Sequence, residues 1–254
     1  MDNLFVTLLF LCPSLFIAGV IDAIAGGGGI ISLPSYIMTG VPLNIAYGCN
    51  KFQSGIGTGT ALFKYARSGY VDFKAGIICA VPALIMAHLS TLVMLQLNDT
   101  VKKIIIVVAM IFIISLMLLT NKRTSGTNTS VTLSKKNVCF SLLIGFILGI
   151  YDGFFGPGCG TIALMLFTYF FRYDMRVASG TGKVAITITN LVALASYIGT
   201  GNIMYQIAIP ATISNMIGGY VGAILAVKNG KKIVKKFMIA VVIIVLIQAG
   251  MKLI

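Results

Sequence analysis

The sequence predicts an all-α polytopic membrane protein with about ten transmembrane segments, arranged as two inverted five-segment repeats. Three observations carry this reading. The 254 residues are 58% hydrophobic and only 10% charged, with a mean hydropathy of +1.00, whereas soluble domains carry roughly 25% charged residues. Apolar runs of membrane-crossing length recur along the whole chain. Finally, Ile21-Asp22-Ala23-Ile24-Ala25-Gly26-Gly27-Gly28-Gly29 is answered about 130 positions later by Tyr151-Asp152-Gly153-Phe154-Phe155-Gly156-Pro157-Gly158-Cys159. Each half thus joins an aspartate to a glycine-rich break, the outline of a two-repeat transporter.

The apolar segments of the first half run at 4–24, 29–39, 45–66, 73–96 and 101–120, and those of the second at 138–155, 160–171, 177–198, 203–227 and 233–253. Between them, 121–137 is rich in Ser, Thr, Asn and Lys and reads as a polar cytoplasmic linker. The chain therefore divides into a first repeat, 1–120, the linker, and a second repeat, 138–254. Further matches extend the repeat: Gly48-Cys49-Asn50-Lys51 with Gly180-Thr181-Gly182-Lys183, Ser68-Gly69-Tyr70-Val71 with Thr200-Gly201-Asn202-Ile203, and Val101-Lys102-Lys103 with Val234-Lys235-Lys236. Ala23-Ile24-Ala25 imitates a signal-peptidase site. No basic residue precedes the first run, and that run has a counterpart in the second half, so it reads as a permanent membrane segment.

Loop charges choose between five crossings per half and four. With five, and both termini outside, the inner loops collect Lys64, Arg67, Lys74, Lys122, Arg123, Lys135, Lys136, Arg172, Arg176, Lys228, Lys231, Lys232, Lys235 and Lys236, leaving Lys102, Lys103 and Lys252 outside. With four, the basic residues scatter over both sides. The positive-inside rule favours five, and so inverted halves; the expected location is a prokaryotic plasma membrane. The second segment of each half is short. A helix from Ile30 to Thr39 rises ~15 Å, half of a ~30 Å hydrocarbon core. An extended Gly26–Gly29 adds ~13 Å, which predicts an unwound stretch followed by a half-helix.

The net charge of +13 does not indicate nucleic acid, because the basic residues sit in short loops between apolar runs. Cys12, Cys49, Cys79, Cys139 and Cys159 are scattered, and His88 is the lone histidine. No cofactor, metal set or enzyme motif is expected. The polyglycine lacks the Gly-Lys-Ser/Thr ending of a phosphate loop.

Candidate binding residues follow from the breaks. A half-helix start offers unpartnered amides and the positive end of the helix dipole to an anion. This nominates Gly26, Gly27, Gly28 and Gly29 in one half, and Gly156, Pro157 and Gly158 in the other. Lys51 and Lys183 occupy matching positions about seven residues inside their segments. Helical spacing puts Thr187 and Asn190 on the face of Lys183, and Gly55 and Thr58 on that of Lys51, with Asn50 and Ser54 beside them. Such lanes supply cationic, hydroxyl and amide donors to an oxyanion. Asp22 and Asp152 are the intramembrane acids. Three roles are open to them: pairing with the lysines, capping unwound backbone, or carrying a coupling proton.

The Asp-plus-polyglycine break, Gly48-Cys49-Asn50-Lys51 and the run from Tyr151 to Gly160 resemble the TauE/SafE family of sulfite and organosulfonate exporters. The resemblance covers nearly the whole chain, with Cys49 and Cys159 where threonine is usual. It implies a multi-span carrier in the lipid bilayer that exports small sulfur-containing anions. It carries over to Asp22, Gly26–Gly29, Asn50, Lys51, Asp152, Gly156, Pro157, Gly158 and Lys183. The expectation is a secondary transporter working by alternating access around a midplane site, with an anion-selective channel as the alternative. A homodimer is compatible with this.

Overall fold

The computed structural model describes residues 4–120 and 134–229, and its elements are all helices. These are α1 (Leu4–Ala25), α2 (Gly29–Met38), α3 (Leu43–Arg67), α4 (Phe73–Gln96), α5 (Asp99–Thr120), α6 (Lys135–Phe154), α7 (Cys159–Phe171), α8 (Met175–Gly199) and α9 (Tyr205–Asn229). The tenth segment, 233–253, and most of the expected linker lie outside the described residues. Among those described, α1, α4, α6, α8 and α9 are long and apolar enough to cross a membrane, and α2 and α7 are shorter apolar helices. Large apolar side chains such as Leu9, Ile77, Ile85, Ile104, Ile213 and Ile217 are exposed on the outside. An apolar exterior on this scale requires lipid.

Polar side chains punctuate the chain between helices. Asp72 caps α4 by accepting from the Ala75 amide at 3.1 Å, Ser134 caps α6 through Asn137, and Asp174 caps α8 through Arg176. The α3–α4 loop is fastened to the α7–α8 loop, where the Tyr173 hydroxyl donates to Asp72 at 2.7 Å and Arg176 donates to the Tyr70 hydroxyl at 2.9 Å. On another side of the bundle, Lys102 of α5 donates to Asn44, just inside α3, at 2.7 Å.

The two halves interlock by exchanging partners. First-half α1 packs on second-half α9, and second-half α6 packs on first-half α4. Both seams are lined by small residues that let backbones touch, as membrane helices require. Gly218 lies against the Phe16 carbonyl and Gly222 against that of Val20, while Gly145 meets the Cys79 carbonyl and Gly149 that of Ala83. Contacts advance together along each seam, so both pairs are parallel. In contrast, α3 and α8 cross antiparallel at mid-length, with Gly55 against Leu191 and Gly59 against Thr187. The exchange extends to the loops, since Gly48 packs on the Asn202 carbonyl and Gly180 on the Tyr70 carbonyl.

One local expectation is corrected. Gly26–Gly29 do not form an extended stretch. The α1 helix continues to Ala25, the Gly26 amide still donates to the Asp22 carbonyl at 2.8 Å, and Gly28 is already helical at φ −59° and ψ −35°. The Gly28 carbonyl then accepts from Ile31 and Ser32, opening α2. The break is a sharp three-residue turn, and its left-handed step falls on Gly26 at φ 75°. In the second half, Gly156 and Gly158 take φ 86° and 81° between α6 and α7. Tertiary contact explains the glycines better than a need for length does. The two breaks abut, with Gly26 directly against Gly160 and Gly29 against Pro157, leaving no space for side chains between them.

Candidate functional site

The breaks expose backbone carbonyls in the middle of the bundle, and buried polar groups there need partners. Two side chains from distant segments and one from the α6 helix beside its own break provide them. The Tyr65 hydroxyl donates to the Ala23 carbonyl at 3.0 Å, Thr161 donates to the Ala25 carbonyl at 2.8 Å, and Tyr151 donates to the Pro157 carbonyl at 2.8 Å. The end of α1 and the turn between α6 and α7 are thereby fixed in position while their glycines remain bare.

Charge is arranged across the same centre. Lys51 Nζ lies 3.0 Å from Asp152 Oδ1 and donates to the Asp152 carbonyl at 2.7 Å. Lys183 Nζ lies 3.3 Å from Asp22 Oδ2 and donates to the Asp22 carbonyl at 3.0 Å. Each lysine therefore reaches out of its own half to the aspartate at the other half's break. Both ammonium groups bind the carboxylate and the helix-end carbonyl together, which suits a cation at a helix C-terminus. Of the roles open to the acids, pairing with the lysines is formed in both halves.

The pairs are equivalent in sequence and unequal in surroundings. Asp152 is 1% exposed, its side chain bonded through Oδ1 alone while Oδ2 is buried without a partner. Asp22 is 27% exposed, and its Oδ2 also accepts from the Thr58 hydroxyl at 3.3 Å.

A narrow cavity of about 20 Å³ lies between the breaks, beside the crossing of α3 and α8. It has room for about one water. Of the residues nominated from sequence, Asp22, Gly26, Gly29, Asn50, Thr58, Asp152, Gly156, Pro157, Gly158 and Asn190 line it. Gly27 and Gly28 do not; Gly28 packs on the Ala18 carbonyl. Lys51 and Lys183 are also outside the lining. The Lys51 ammonium sits immediately behind Gly156, where an added Cβ would lie 2.9 Å from it. Thr187 faces Gly59, its hydroxyl buried without a partner. Cys159, Gly160, Ser54 and Ile186 complete the wall. Asn50 Oδ1 accepts from Ser32 and Gln53, and Asn190 donates to the Ile186 carbonyl. Ser32 and Gln53 had no pattern in the sequence to mark them, whereas Ser54 lies on the Asn50 face at i+4. Among the described residues no group of His, Cys, Asp and Glu could hold a metal ion.

An apolar helical bundle with compensated charges and broken helices at its centre belongs to the class of polytopic membrane transport proteins. Residues 11–249 match the family described as Sulfite exporter TauE/SafE, and the chain belongs to that family. It is 30% identical over 97% of its length to a Sinorhizobium protein named "Probable membrane transporter protein ORF9", covering 94% of that protein. A Haemophilus influenzae relative of the same description is 29% identical, with 88% of this chain and 87% of that protein aligned. The Escherichia coli K12 relative YfcA is 24% identical over 89% and 82%. No solved structure gives a significant match. These names indicate a membrane transporter, and with the apolar helices they support an integral membrane protein.

Proposed function

We propose that this protein is a secondary transporter that exports small sulfur-containing anions, such as sulfite or an organosulfonate, by alternating access. The observation that carries the proposal is the reciprocal ion pairing, Lys51 to Asp152 and Lys183 to Asp22, around a cavity walled by two broken helices. Two cations, Lys51 directly behind Gly156 and Lys183 on the Asp22 carbonyl, form an electropositive seat for an oxyanion once their aspartates release them. The family description supplies the substrate class. Residues 1–120 and 138–254 would form two inverted sets of five segments joined by the linker 121–137, with α2 and α7 as half-length members. The antiparallel crossing of α3 and α8 supports this, since parallel repeats would run those equivalent helices in the same sense. Their mid-length crossing would set the site near the bilayer midplane. A cavity of about 20 Å³ is too small for a sulfur oxyanion, so the geometry suits a closed state that opens as one half rocks against the other.

The test is charge movement in proteoliposomes on a solid-supported membrane. Sulfite, thiosulfate, sulfoacetate, taurine, sulfate and chloride are applied in turn, with a Lys51→Ala, Lys183→Ala double variant alongside. The expected result is a saturable response to one or more sulfur anions, abolished in the variant. A response to chloride as large as to any sulfur anion, without saturation, would instead indicate an anion channel.

A further inference from the structure

The unequal ion pairs bear on how transport is driven, an inference that rests on the proposed oxyanion site. With both lysines and both aspartates ionised, the buried centre is neutral. An incoming oxyanion adds at least one negative charge in a region nearly closed to water, where an uncompensated charge is costly. Taking up one proton on a carboxylate offsets one unit of that charge. The two carboxylates are not equally suited to it. Asp22 Oδ2 is already held by Lys183 and by the Thr58 hydroxyl, and its 27% exposure allows partial solvation. Asp152 is 1% exposed, and its Oδ2 is buried without any donor, on a residue that lines the cavity. An ionised carboxylate leaves that oxygen unsatisfied, whereas a protonated one can direct an O–H into the cavity.

We infer that Asp152 is the proton-carrying residue of the transport cycle, taking a proton at Oδ2 when the oxyanion binds and releasing it when the anion leaves. The new O–H bond forms at Oδ2 as an O–H bond of a hydronium ion breaks to leave water, on the aqueous side from which the anion enters. Neutralising Asp152 reduces its pull on the Lys51 ammonium, 3.0 Å from Oδ1 and directly behind Gly156, and directs that charge toward the cavity. The titratable groups near this carboxyl are Lys51 from α3, Cys159 from α7 and its neighbour Tyr151 on α6, with Asp22 from α1 lining the same cavity. Lys183, from α8, holds Asp22.

The composition of the chain permits a direct readout. Its six acidic residues are all aspartates, so Asp152→Glu provides a single glutamate carboxyl that can be labelled with ¹³C and followed by difference infrared spectroscopy. Thiosulfate is the probe, because it is fully ionised at neutral pH and brings no proton of its own. Its binding is measured separately by calorimetry, and proton uptake in weakly buffered solution is counted on the wild-type protein. The expected result is an isotope-shifted band of a neutral carboxyl on adding thiosulfate, with uptake of about one proton per anion bound. Should Asp152→Glu fail to fold, ¹³C-aspartate wild type compared with Asp152→Asn gives the same assignment. Binding without proton uptake, or with a neutral carboxyl that persists in Asp152→Asn, overturns the inference and leaves the oxyanion site standing. Absence of binding by thiosulfate, sulfite and sulfoacetate alike overturns both.

Discussion

Replacing Lys51 by methionine is expected to lower stability by about 3–5 kcal/mol and to abolish transport, because it leaves a buried carboxylate without its counter-charge. Burial sets the size of this loss. Asp152 is 1% exposed and its side chain has no other partner, so no neighbouring group compensates for the lost ammonium and the carboxylate must stay stranded or take up a proton at a cost. Lys183→Met should cost less, since Asp22 is 27% exposed and keeps the Thr58 hydroxyl. Adding Asp152→Asn to Lys51→Met removes the stranded charge and should restore most of the stability, though not the flux. Thermal midpoints in lipid nanodiscs and tracer flux in proteoliposomes measure the two effects. Equal losses for the two lysine variants, or no recovery in the double variant, would mean that these pairs do not act as described.

Gly26→Ala is expected to be comparably severe for a different reason. Gly26 has φ 75°, and a Cβ there would collide with the backbone of Gly160 and the amide of Thr161. Gly40 provides the control, with φ 78° and nothing within 4 Å of an added Cβ. Gly40→Ala should therefore cost only the left-handed conformation, about 1–2 kcal/mol. Gly26→Ala adds the forced separation of two packed backbones, about 1–3 kcal/mol more, and should also disturb transport by spreading the breaks. Thermal unfolding separates the two. Similar midpoints for the two variants would show that the breaks do not need to touch.

Much of the fold was legible in the sequence because lipid imposes few solutions. Hydropathy and punctuation placed α4 at 73–96, where the helix runs Phe73–Gln96, and α3 at 45–66, within Leu43–Arg67. The break between α1 and α2 was legible as a feature but not as a conformation. Four glycines permit an extended strand or a tight turn equally, and the choice falls to Gly160 and Pro157, more than 120 residues away. The site shows the same division. Charged residues deep in apolar runs marked Lys51, Lys183, Asp22 and Asp152. Which lysine meets which aspartate depends on the exchange of α1 and α6 between halves, and no local pattern records that. Periodicity placed Thr187 one turn from Lys183, yet the helix faces Gly59 there and Thr187 is absent from the cavity wall. Asn190, on the same face, does reach it.

In the proposed cycle a sulfur anion crosses by alternating access rather than through an open pore. Counterflow of labelled sulfite tests it most directly. Proteoliposomes loaded with excess unlabelled sulfite are diluted into a trace of labelled sulfite, and the internal label is followed over time. Alternating access predicts a transient accumulation of label above the external level, sustained by exchange through a single site and absent from Lys51→Met. Label that rises only to equilibrium, at a rate independent of the unlabelled sulfite inside, would contradict it.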